Sequence, residues 1–378
     1  MPSGQIDKQC VDLIESLEII NGRYVRPQSI QEAESDGHHS LIFKAEDRST
    51  RRLVTLKFCG PAALNDSYRR ACFSREIAIL SCFSGQPNIL QLVEPEQSLQ
   101  IEATAQNGYP LSLSFPYYVT EYARCNLKTY IYGGSRGPRE TLHIFRQLCK
   151  AVQRINAASV IHRDLKPSNF LLVDDSVKLA DFGSSRRRGE ATFLRHYDLP
   201  VGDIFYSPPE LYFGLGGLVR ISAATDAFAL GAILFELFAK EMLTPLFYER
   251  RALEDLHEMS ARLAGDPERE AQYLRLLPHL KARWRLPDLE PLCPSTPRCV
   301  RGRIGVLYKR LADFDYRRRS TITFASLFRE LEICLKVLDY EMRDRERRVR
   351  RRQMRKNMLA DGRQSPKNIS QWRGGSHV

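Results

Sequence analysis

The sequence predicts an α+β fold with two lobes, a small N-terminal lobe of antiparallel strands and a larger, mainly helical C-terminal lobe. Two observations lead to this prediction. Short apolar segments separated by turns occur over residues 24–58 and again over residues 89–122, and this pattern is typical of strands. From residue 138 onward, apolar residues recur three and four positions apart, which is the spacing of helices that bury one face.

The composition fits one folded unit of this kind. A chain of 378 residues with 43% apolar and 27% charged residues is long enough to bury a sizeable core and is ordinary for a soluble globular protein. The net charge of +12 lies largely near the C-terminus. It therefore suggests an acidic partner for that end of the chain rather than for the whole fold.

The cysteines and the apolar segments bear on the cellular compartment. The nine cysteines are scattered and include no Cys-x-x-Cys pair, so we expect reduced thiols rather than a zinc site or a disulfide framework. Residues 1–10 lack the apolar core of a signal peptide. The longest apolar run, residues 228–238, is too short to cross a bilayer and carries Glu236. We therefore expect a cytoplasmic protein that is neither secreted nor embedded in a membrane.

The N-terminal lobe is placed at residues 23–121 and follows a predicted helical extension over residues 1–22. Residues 6–20 have the loose helical period on which that extension rests. The lobe itself is predicted to contain strands over 24–34, 41–45 and 53–58, a helix over 68–83, and strands over 89–93, 99–103 and 111–122. Residues 97–110 are longer and more polar than a minimal hairpin, so we expect a surface elaboration there.

The C-terminal lobe is placed at residues 122–340. Pro138 suits the first turn of a long helix. The predicted elements that follow are strands over 170–173 and 177–179, a loop over 184–206, helices over 253–263 and 300–314, and a connector over 287–297. A last helix begins near Phe324 and runs on into an arginine-rich segment over 343–356. That segment lies in a basic C-terminal region over 341–378, whose end, 362–378, we expect to be disordered.

Four polar residues at and after residues 161–170 suit phosphoryl transfer. Asp164 is placed to accept a proton from an attacking hydroxyl, and Lys166 to neutralise charge on the moving phosphoryl group. Asn169 offers an amide oxygen to a hard metal ion, and Asp181 offers a carboxylate to the same ion. Because a short loop between two apolar segments carries them, we expect the four groups to lie near one point.

This stretch resembles the catalytic loop and the metal-binding turn of the protein kinases, in their serine/threonine form. The position of Lys166 separates the serine/threonine form from the tyrosine kinases. The resemblance covers about residues 24–335 and implies a bilobal protein-kinase-like fold. It also implies ATP and Mg²⁺ (or Mn²⁺) as cofactors, and transfer of the γ-phosphoryl group of ATP to a protein hydroxyl.

The resemblance assigns nucleotide-binding residues in the N-terminal lobe. Lys57 matches the lysine that contacts the α- and β-phosphates, and Glu76 lies where that lysine's glutamate partner is expected. The other cofactor-binding positions implied are Gly37, Ile42, Ala45, Thr120, Glu121 and Ala123. Gly37 is the one glycine left in the phosphate-covering hairpin, because Ser35 and Ser40 stand at its outer glycine positions. Thr120 guards the pocket behind the adenine, and the segment from Glu121 to Ala123 is similar to the hinge.

The resemblance also assigns structural and regulatory residues. Glu210 closes the activation segment and pairs with Arg319, and Asp226 holds the backbone of the catalytic loop. Arg163 is expected to receive a phosphate from the activation segment. The hydroxyls offered for autophosphorylation belong to Ser184, Ser185, Thr192 and Tyr197, with Thr192 the first choice. Asp203 departs from the family, which usually has threonine there, but its carboxylate is still able to bind Lys166.

Three alternatives stay open on the sequence. The sparse hairpin around Gly37 and the presence of Asp203 are compatible with a pseudokinase or nucleotide-binding scaffold with weak or no turnover. A small-molecule phosphotransferase shares the catalytic carboxylates but does not need the Glu210–Arg319 pair. Separately, residues 343–356 form either a solvated helix end or an electrostatic patch for nucleic acid, anionic lipid or an acidic protein.

Overall fold

In this computed structural model, the residues described are 3–30, 40–64, 66–104, 110–134, 136–188, 202–248, 250–262 and 268–361. The N-terminal lobe is built on one antiparallel sheet of six strands in the spatial order β1-β2-β3-β4-β6-β5. These strands are β1 (Ile19–Ile20), β2 (Tyr24–Ser29), β3 (Ser40–Asp47), β4 (Arg52–Cys59), β5 (Leu92–Thr104) and β6 (Pro110–Glu121).

The two faces of this sheet have different roles. Successive residues of a strand point to opposite faces, and directly paired residues share a face. On one face the lobe's own apolar cluster contains Phe43, Ala45, Val54 and Leu56, all of them almost fully buried. On the other face Ile42 pairs with Lys57, whose ammonium group contacts Asp181 of the C-terminal lobe.

The N-terminal segment packs on the lobe that follows it. Helix α1 (Ser3–Glu15) ends five residues before the predicted end, and β1 then pairs with β2 through a turn at Asn21 and Gly22. Both turn residues have positive φ, which Asn and Gly adopt at low cost. Ile14 and Ile20 are fully buried in the apolar cluster of the lobe. The segment is therefore an integral layer over the sheet.

The last two strands also differ from the prediction. The predicted strands 89–93 and 99–103 form one continuous strand, β5, with register shifts between Leu92 and Gln97. Its ladder with β6 continues as far as the pair Thr104–Pro110, so most of the expected elaboration over 97–110 is regular sheet. Residues 105–109 lie outside the described residues, as does the end of the predicted first strand, 31–34. Leu99 faces Phe115 across the ladder, which gives β5 a buried face.

Two helices follow β4. Helix α2 (Pro61–Leu64) is a single turn, and α3 (Ser67–Cys82) matches the predicted helix closely. Asp66 caps α3 by accepting hydrogen bonds from the N–H groups of Tyr68 and Arg69. The buried side of α3 is apolar except for Glu76, which faces the cleft between the lobes.

The C-terminal lobe is helical apart from short strands near the cleft. The strands are β7 (Cys125–Asn126), β8 (Val160–Ile161), β9 (Phe170–Val173), β10 (Ser176–Leu179) and β11 (Arg186–Arg187). The helices are α4 (Leu127–Tyr132), α5 (Pro138–Ala157), α6 (Pro209–Tyr212), α7 (Val219–Ala239), α8 (Arg250–Arg262), α9 (Arg269–Arg283), α10 (Arg298–Leu311), α11 (Tyr316–Arg319) and α12 (Phe324–Asp361).

Helix α7 is the central element of this lobe. It is long and apolar enough to cross a membrane, but most of it is buried inside the protein, as expected for a core helix. Helices α5, α10 and α11 pack against it, and α12 packs on α5 and α10. Helix α9, which contains Pro278, was not among the predicted helices. Helix α12 has 38 residues and extends well beyond the core.

Candidate active site

The catalytic loop follows β8, and Asp226 of α7 holds the backbone of this loop in place. The two carboxylate oxygens of Asp226 accept hydrogen bonds from the backbone N–H groups of His162 and Arg163, each at 2.9 Å. Arg163 has a φ of 71°, which a residue with a side chain adopts only when its surroundings impose it. The predicted structural contact of Asp226 is therefore present, and it fixes the strained turn just before Asp164.

The carboxylate of Asp164 is held by three neighbours. Its Oδ1 accepts the backbone N–H of Asp203 at 2.8 Å, and its Oδ2 accepts Nδ2 of Asn169 at 3.1 Å. Nζ of Lys166 lies 3.4 Å from the same Oδ2. Burial raises the pKa of Asp164, and the charge of Lys166 partly offsets this effect. The side chain is thus oriented as a proton acceptor.

Gly202 makes the contact between Asp203 and Asp164 possible. It has a φ of 99°, and a Cβ atom there would lie 2.4 Å from the carbonyl oxygen of Arg163. Glycine is therefore required where this segment passes over the catalytic loop. The carboxylate of Asp203 lies 3.7 Å from Nζ of Lys166, as the sequence suggested. Its Oδ1 also caps the 3₁₀ turn Ile204–Tyr206.

Lys57 is held between two carboxylates. Its Nζ lies 2.7 Å from Oε2 of Glu76 and 3.6 Å from Oδ1 of Asp181. Burial alone would lower the pKa of Lys57, but the charges of Asp181 and Glu76 outweigh it and raise this pKa well above its usual value. Tyr118, which pairs with Lys57 across the sheet, hydrogen-bonds to Glu76. The predicted ion pair is present, and its ammonium group stays charged.

Asn169 and Asp181 suit one divalent cation bound together with phosphates. Nδ2 of Asn169 donates to the backbone oxygen of Asp164 at 2.8 Å, which leaves its amide oxygen to face away from that residue. The N–H of Ala180 donates to the Asn169 carbonyl, so the two candidate ligands are tied together. A magnesium ion usually takes one or two protein oxygens and completes its shell with waters and substrate phosphates. The residues present therefore fit such an ion.

Phe182 anchors Asp181 through packing that the sequence did not reveal. Its ring is fully buried, 5.1 Å from the ring of His162 and 6.3 Å from that of Phe83. On the next residue, the carbonyl of Gly183 accepts a hydrogen bond from Nη1 of Arg75 at 2.5 Å. Arg75 of α3 and Phe83, the residue that follows α3, therefore hold this turn in addition to Lys57 of β4. No linear motif indicates these contacts, because the partners are about 100 residues apart in the chain.

The assignment of Ala45 to the nucleotide site is wrong. Ala45 pairs with Val54 and is buried in the cluster on the opposite face of the sheet from Lys57. The face that carries Lys57 presents Ile42, Thr55 and Thr120 instead. Thr55 was missed, although it lies two residues before Lys57 and strand alternation predicts that both share a face. Thr120, a predicted position, is buried at the back of this face.

The predicted hinge follows Thr120 directly. The carboxylate of Glu121 binds Nζ of Lys178 at 2.6 Å, and its backbone N–H donates to the carbonyl of Gln91. Glu121 thus ties the hinge to both flanking segments. Ala123 is half-buried beside the core of the C-terminal lobe. Gly37 and Ser35 lie outside the described residues, and Ser40 begins β3.

The structural pair Glu210–Arg319 is present and completely buried. A terminal nitrogen of Arg319 binds Oε1 of Glu210, while Nε of Arg319 donates to the carbonyl of Ala224 at 3.0 Å. The hydroxyl of Tyr273 donates to the other oxygen of Glu210 at 3.3 Å. These contacts join the end of the activation segment to α7, α9 and α11.

Only some of the residues that were predicted to have regulatory roles lie within the described residues. Ser185 is fully buried and donates to the carbonyl of His162 at 3.3 Å, so it is not an accessible phosphorylation site. Ser184 is half-buried. Thr192 and Tyr197 lie outside the described residues. Arg163 is buried within the catalytic loop, and its binding of a phosphate stays a prediction.

Comparison with known proteins agrees with this geometry. The family model described as a protein kinase domain matches residues 35–299. Cyclin-dependent kinase B1-1 of Arabidopsis thaliana is 30% identical over 272 residues, which cover 69% of this chain and 84% of that protein. Cell division control protein 2 homolog C of Antirrhinum majus is 29% identical over 273 residues, covering 69% and 83%. Extracellular signal-regulated kinase 2 of Dictyostelium discoideum is 28% identical over 293 residues, covering 75% and 72%.

Proposed function

The chain belongs to the protein kinase domain family and is an ATP-dependent serine/threonine kinase, and we propose that Asp164, Lys166, Lys57 and Asn169 carry out its reaction. The observation that carries this proposal is the set of contacts around Asp164. That carboxylate is fixed by a backbone N–H, an amide and an ammonium group at once. A group held in this way is oriented before the substrate arrives, which is the main protein contribution to phosphoryl transfer.

On the acceptor side, Asp164 aligns the serine or threonine hydroxyl of the protein substrate and takes its proton. Lys166 lies between Asp164 and Asp203, 3.4 Å and 3.7 Å from their carboxylates. From there its ammonium group reaches the phosphoryl oxygens that gain charge during transfer. The carboxylate of Asp203 also attracts the ammonium group of Lys166. Asp203 therefore determines how much of the positive charge of Lys166 is available to the phosphoryl group.

On the nucleotide side, Lys57 contacts the phosphates while Glu76 fixes its position. We propose that Asn169 and Asp181 hold Mg²⁺. When bound, this ion neutralises charge on the phosphate oxygens. Asp181 is half-exposed toward the cleft, so it is accessible to a cation that enters with the nucleotide. Ile42, Thr55 and Thr120 supply the surface against which the base packs.

The alternatives receive no support from these observations. A pseudokinase usually lacks at least one of the catalytic groups, whereas here they are all present, with Lys57 paired to Glu76 and Asp181 and with Lys166 paired to Asp164. A small-molecule phosphotransferase does not need the Glu210–Arg319 pair, which is present and buried. Of the relatives reported above, two are named as kinases, one cyclin-dependent and one extracellular signal-regulated, and the third is named as a cell division control protein.

The proposal is tested by transfer of radiolabelled phosphate from ATP to a generic basic protein. We expect Asp164→Asn to lower the rate by about 10²–10⁴-fold, since it removes the proton acceptor and keeps the shape. Lys57→Met should cause a comparable loss. Asp174→Asn is the matched control, because Asp174 is an exposed turn residue with a positive φ that asparagine also tolerates.

Three outcomes would contradict the proposal. Equal labelling by wild type and Asp164→Asn would exclude Asp164 as the proton acceptor. Labelling that persists after all divalent cations are chelated would exclude the metal role of Asn169 and Asp181. Phosphotyrosine as the main product of acid hydrolysis would contradict the role given to Lys166.

We further propose that the exposed end of α12 binds the phosphates of nucleic acid. Residues 343–356 contain nine basic and two acidic residues, a net charge of +7 out of +12 for the whole chain. Residues 341–358 are exposed apart from the half-buried Asp344. Successive residues of a helix differ by about 100° in direction, so the arginines point to all sides. Because apolar residues do not collect on one face, a membrane surface is a poorer match than a polyanion.

The test compares the full chain with a variant that ends at Glu341, on a column of immobilised DNA. The variant should elute at much lower salt, because it has lost the basic residues that contact phosphates. Each phosphate contact contributes about −0.9 to the slope of log affinity against log salt, so the affinity of the variant should also depend less on salt. Its kinase activity and melting temperature should not change, since within the described residues no member of the apolar core lies in α12 beyond Leu338. Equal retention of both proteins, or stronger retention on an acidic protein than on DNA, would contradict this proposal.

A further inference from the structure

Two cysteines lie at the interface between helices α10 and α12. Cys299 is exposed in the first turn of α10, and Cys334 is buried on the apolar side of α12, as a member of the core of the C-terminal lobe. Both are free thiols in the structure. The proposed phosphoryl transfer uses neither residue.

An ion pair shows how the two helices are aligned. Nη1 of Arg303 lies 3.1 Å from Oε2 of Glu330. Arg303 follows Cys299 by one turn of α10, and Glu330 precedes Cys334 by one turn of α12. Burial raises the pKa of the Cys334 thiol to about 11, and the charges of Arg303 and Cys299 act on it as well. The helices are therefore antiparallel, because parallel helices would separate the two cysteines by two turns.

This alignment suits a bond between the two sulfur atoms. The axes of packed helices lie about 8–10 Å apart, and each Cα atom lies about 2.3 Å from its own axis. Residues that face each other across such an interface therefore approach the Cα separation of about 4.4–6.8 Å that a disulfide needs. A zinc site is a poorer match, because the described part of the chain contains no group of three His, Cys, Asp or Glu side chains that could hold a metal ion.

The two thiols differ in how they meet an oxidant. Cys299 is exposed, so an oxidant in water reaches it first. Cys334 is almost fully buried, and its raised pKa keeps it protonated at neutral pH. A thiol of this kind is protected from direct oxidation, yet it is able to react with an oxidised sulfur that faces it. The pair thus combines an accessible thiol with a protected one.

We propose that Cys299 and Cys334 form a reversible disulfide when the protein meets a peroxide. Hydrogen peroxide converts the thiol of Cys299 to a sulfenic acid, and one molecule of water leaves. The sulfur of Cys334 then attacks the sulfenic sulfur, and the hydroxyl group leaves with the proton of the Cys334 thiol as a second water. Two thiols and one peroxide therefore give one disulfide and two waters. The bond closes a loop of about 35 residues and ties α12 to α10.

Mass spectrometry of the full chain after treatment with hydrogen peroxide tests the proposal. Digestion by trypsin without reducing agent releases the peptides Cys299–Arg301 and Glu330–Lys336. We expect a linked species that is two hydrogen atoms lighter than the sum of these peptides and that disappears after reduction with dithiothreitol. The melting temperature of the oxidised protein should be higher by about 3–8 °C, because the bond constrains the unfolded chain.

Cys299→Ser should abolish both the linked species and the rise in melting temperature. Its melting temperature under reducing conditions should equal that of the wild type, because the side chain is exposed. Cys82→Ser is the matched control, since Cys82 is also exposed, and it should keep both effects. Absence of the linked species, with Cys299 either unmodified or oxidised to a sulfinic acid, would overturn the proposal. So would a linked species that forms only in urea or whose yield falls on dilution, since it would then come from unfolded or separate chains.

Discussion

The charge state of Asp164 depends on neighbours that can be changed one at a time. Burial raises its pKa, Lys166 lowers it, and Asp181 and Asp203 raise it. Transfer requires the carboxylate form, so the acidic limb of the pH profile of kcat/KM reports this pKa. Replacing Asp203 by asparagine removes a negative charge but keeps the backbone N–H that binds Asp164. We expect the acidic limb of Asp203→Asn to move to lower pH.

Replacing Lys166 by methionine should move the same limb in the opposite direction. The variant loses the positive charge that favours the carboxylate, so the pKa of Asp164 rises and activity falls at higher pH than in the wild type. The two profiles are measured with one substrate at one ionic strength. Limbs that coincide with the wild-type limb in both variants would show that another group titrates there.

At the scale of single residues, the sequence predicted the residues of the catalytic loop but not all of the residues that contact the active site. Asp164, Lys166 and Asn169 are close in the chain, so their chemistry and spacing were sufficient. The nucleotide-facing residues depend on the register of two strands, and the error at Ala45 arose because register was not considered. Arg75 and Phe83 were missed for a different reason. Their contacts with the metal-binding turn bridge about 100 residues, and a single sequence carries no signal for them.

At the scale of secondary-structure elements, the N-terminal segment shows how far apolar periodicity alone can locate the end of a helix. Its apolar residues are compatible with a helix as far as Ile20, but the Asn21–Gly22 pair is a strong hairpin signal that assigns the last two isoleucines to a strand. In β5, by contrast, the sequence pattern indicated two strands where the structure has one. Its register shifts near Glu94 interrupt the alternation on which strand prediction depends, so the pattern suggested two strands.

Because α1 is a layer of the N-terminal lobe, its buried face should contribute to stability. Ile14 is fully buried against the sheet, and Ile14→Ala should lower the free energy of unfolding by about 2–5 kcal/mol through the lost burial and the cavity it leaves. Gln9→Ala, on the exposed side of the same helix, is the control and should have almost no effect. Both are measured by urea denaturation. An equally small effect of the two would mean that the packing of α1 against the sheet contributes little to stability.

At the scale of the whole molecule, the two lobes are joined at more than the hinge. The backbone N–H of Leu90 donates to the carbonyl of Leu179, and the N–H of Leu179 donates to the carbonyl of Asn88. Lys178 of the same strand binds Glu121 of the hinge. Strand β10 leads directly into Ala180 and Asp181. The segment that presents Asp181, the proposed metal ligand, is therefore fixed to both lobes, so a relative movement of the lobes acts directly on Asp181.

The buried pair Glu210–Arg319 tests how the C-terminal lobe is held together. Arg319→Met removes one partner and leaves a buried carboxylate, which should lower the free energy of unfolding by about 3–5 kcal/mol. Glu210→Gln combined with Arg319→Met leaves no buried charge. The double variant should therefore be more stable than the sum of the two single changes predicts.

The pH dependence of Arg319→Met gives a second check on this pair. Burial already raises the pKa of Glu210, and loss of Arg319 raises it further. The folded variant then binds a proton more tightly than the unfolded chain, so its stability increases as pH falls through the raised pKa. The deficit relative to wild type, measured by urea denaturation, should be smaller at mildly acidic pH than at neutral pH. A deficit independent of pH, together with additive single changes, would mean that packing around Tyr273 and Phe228, rather than the charge of Glu210, accounts for the loss.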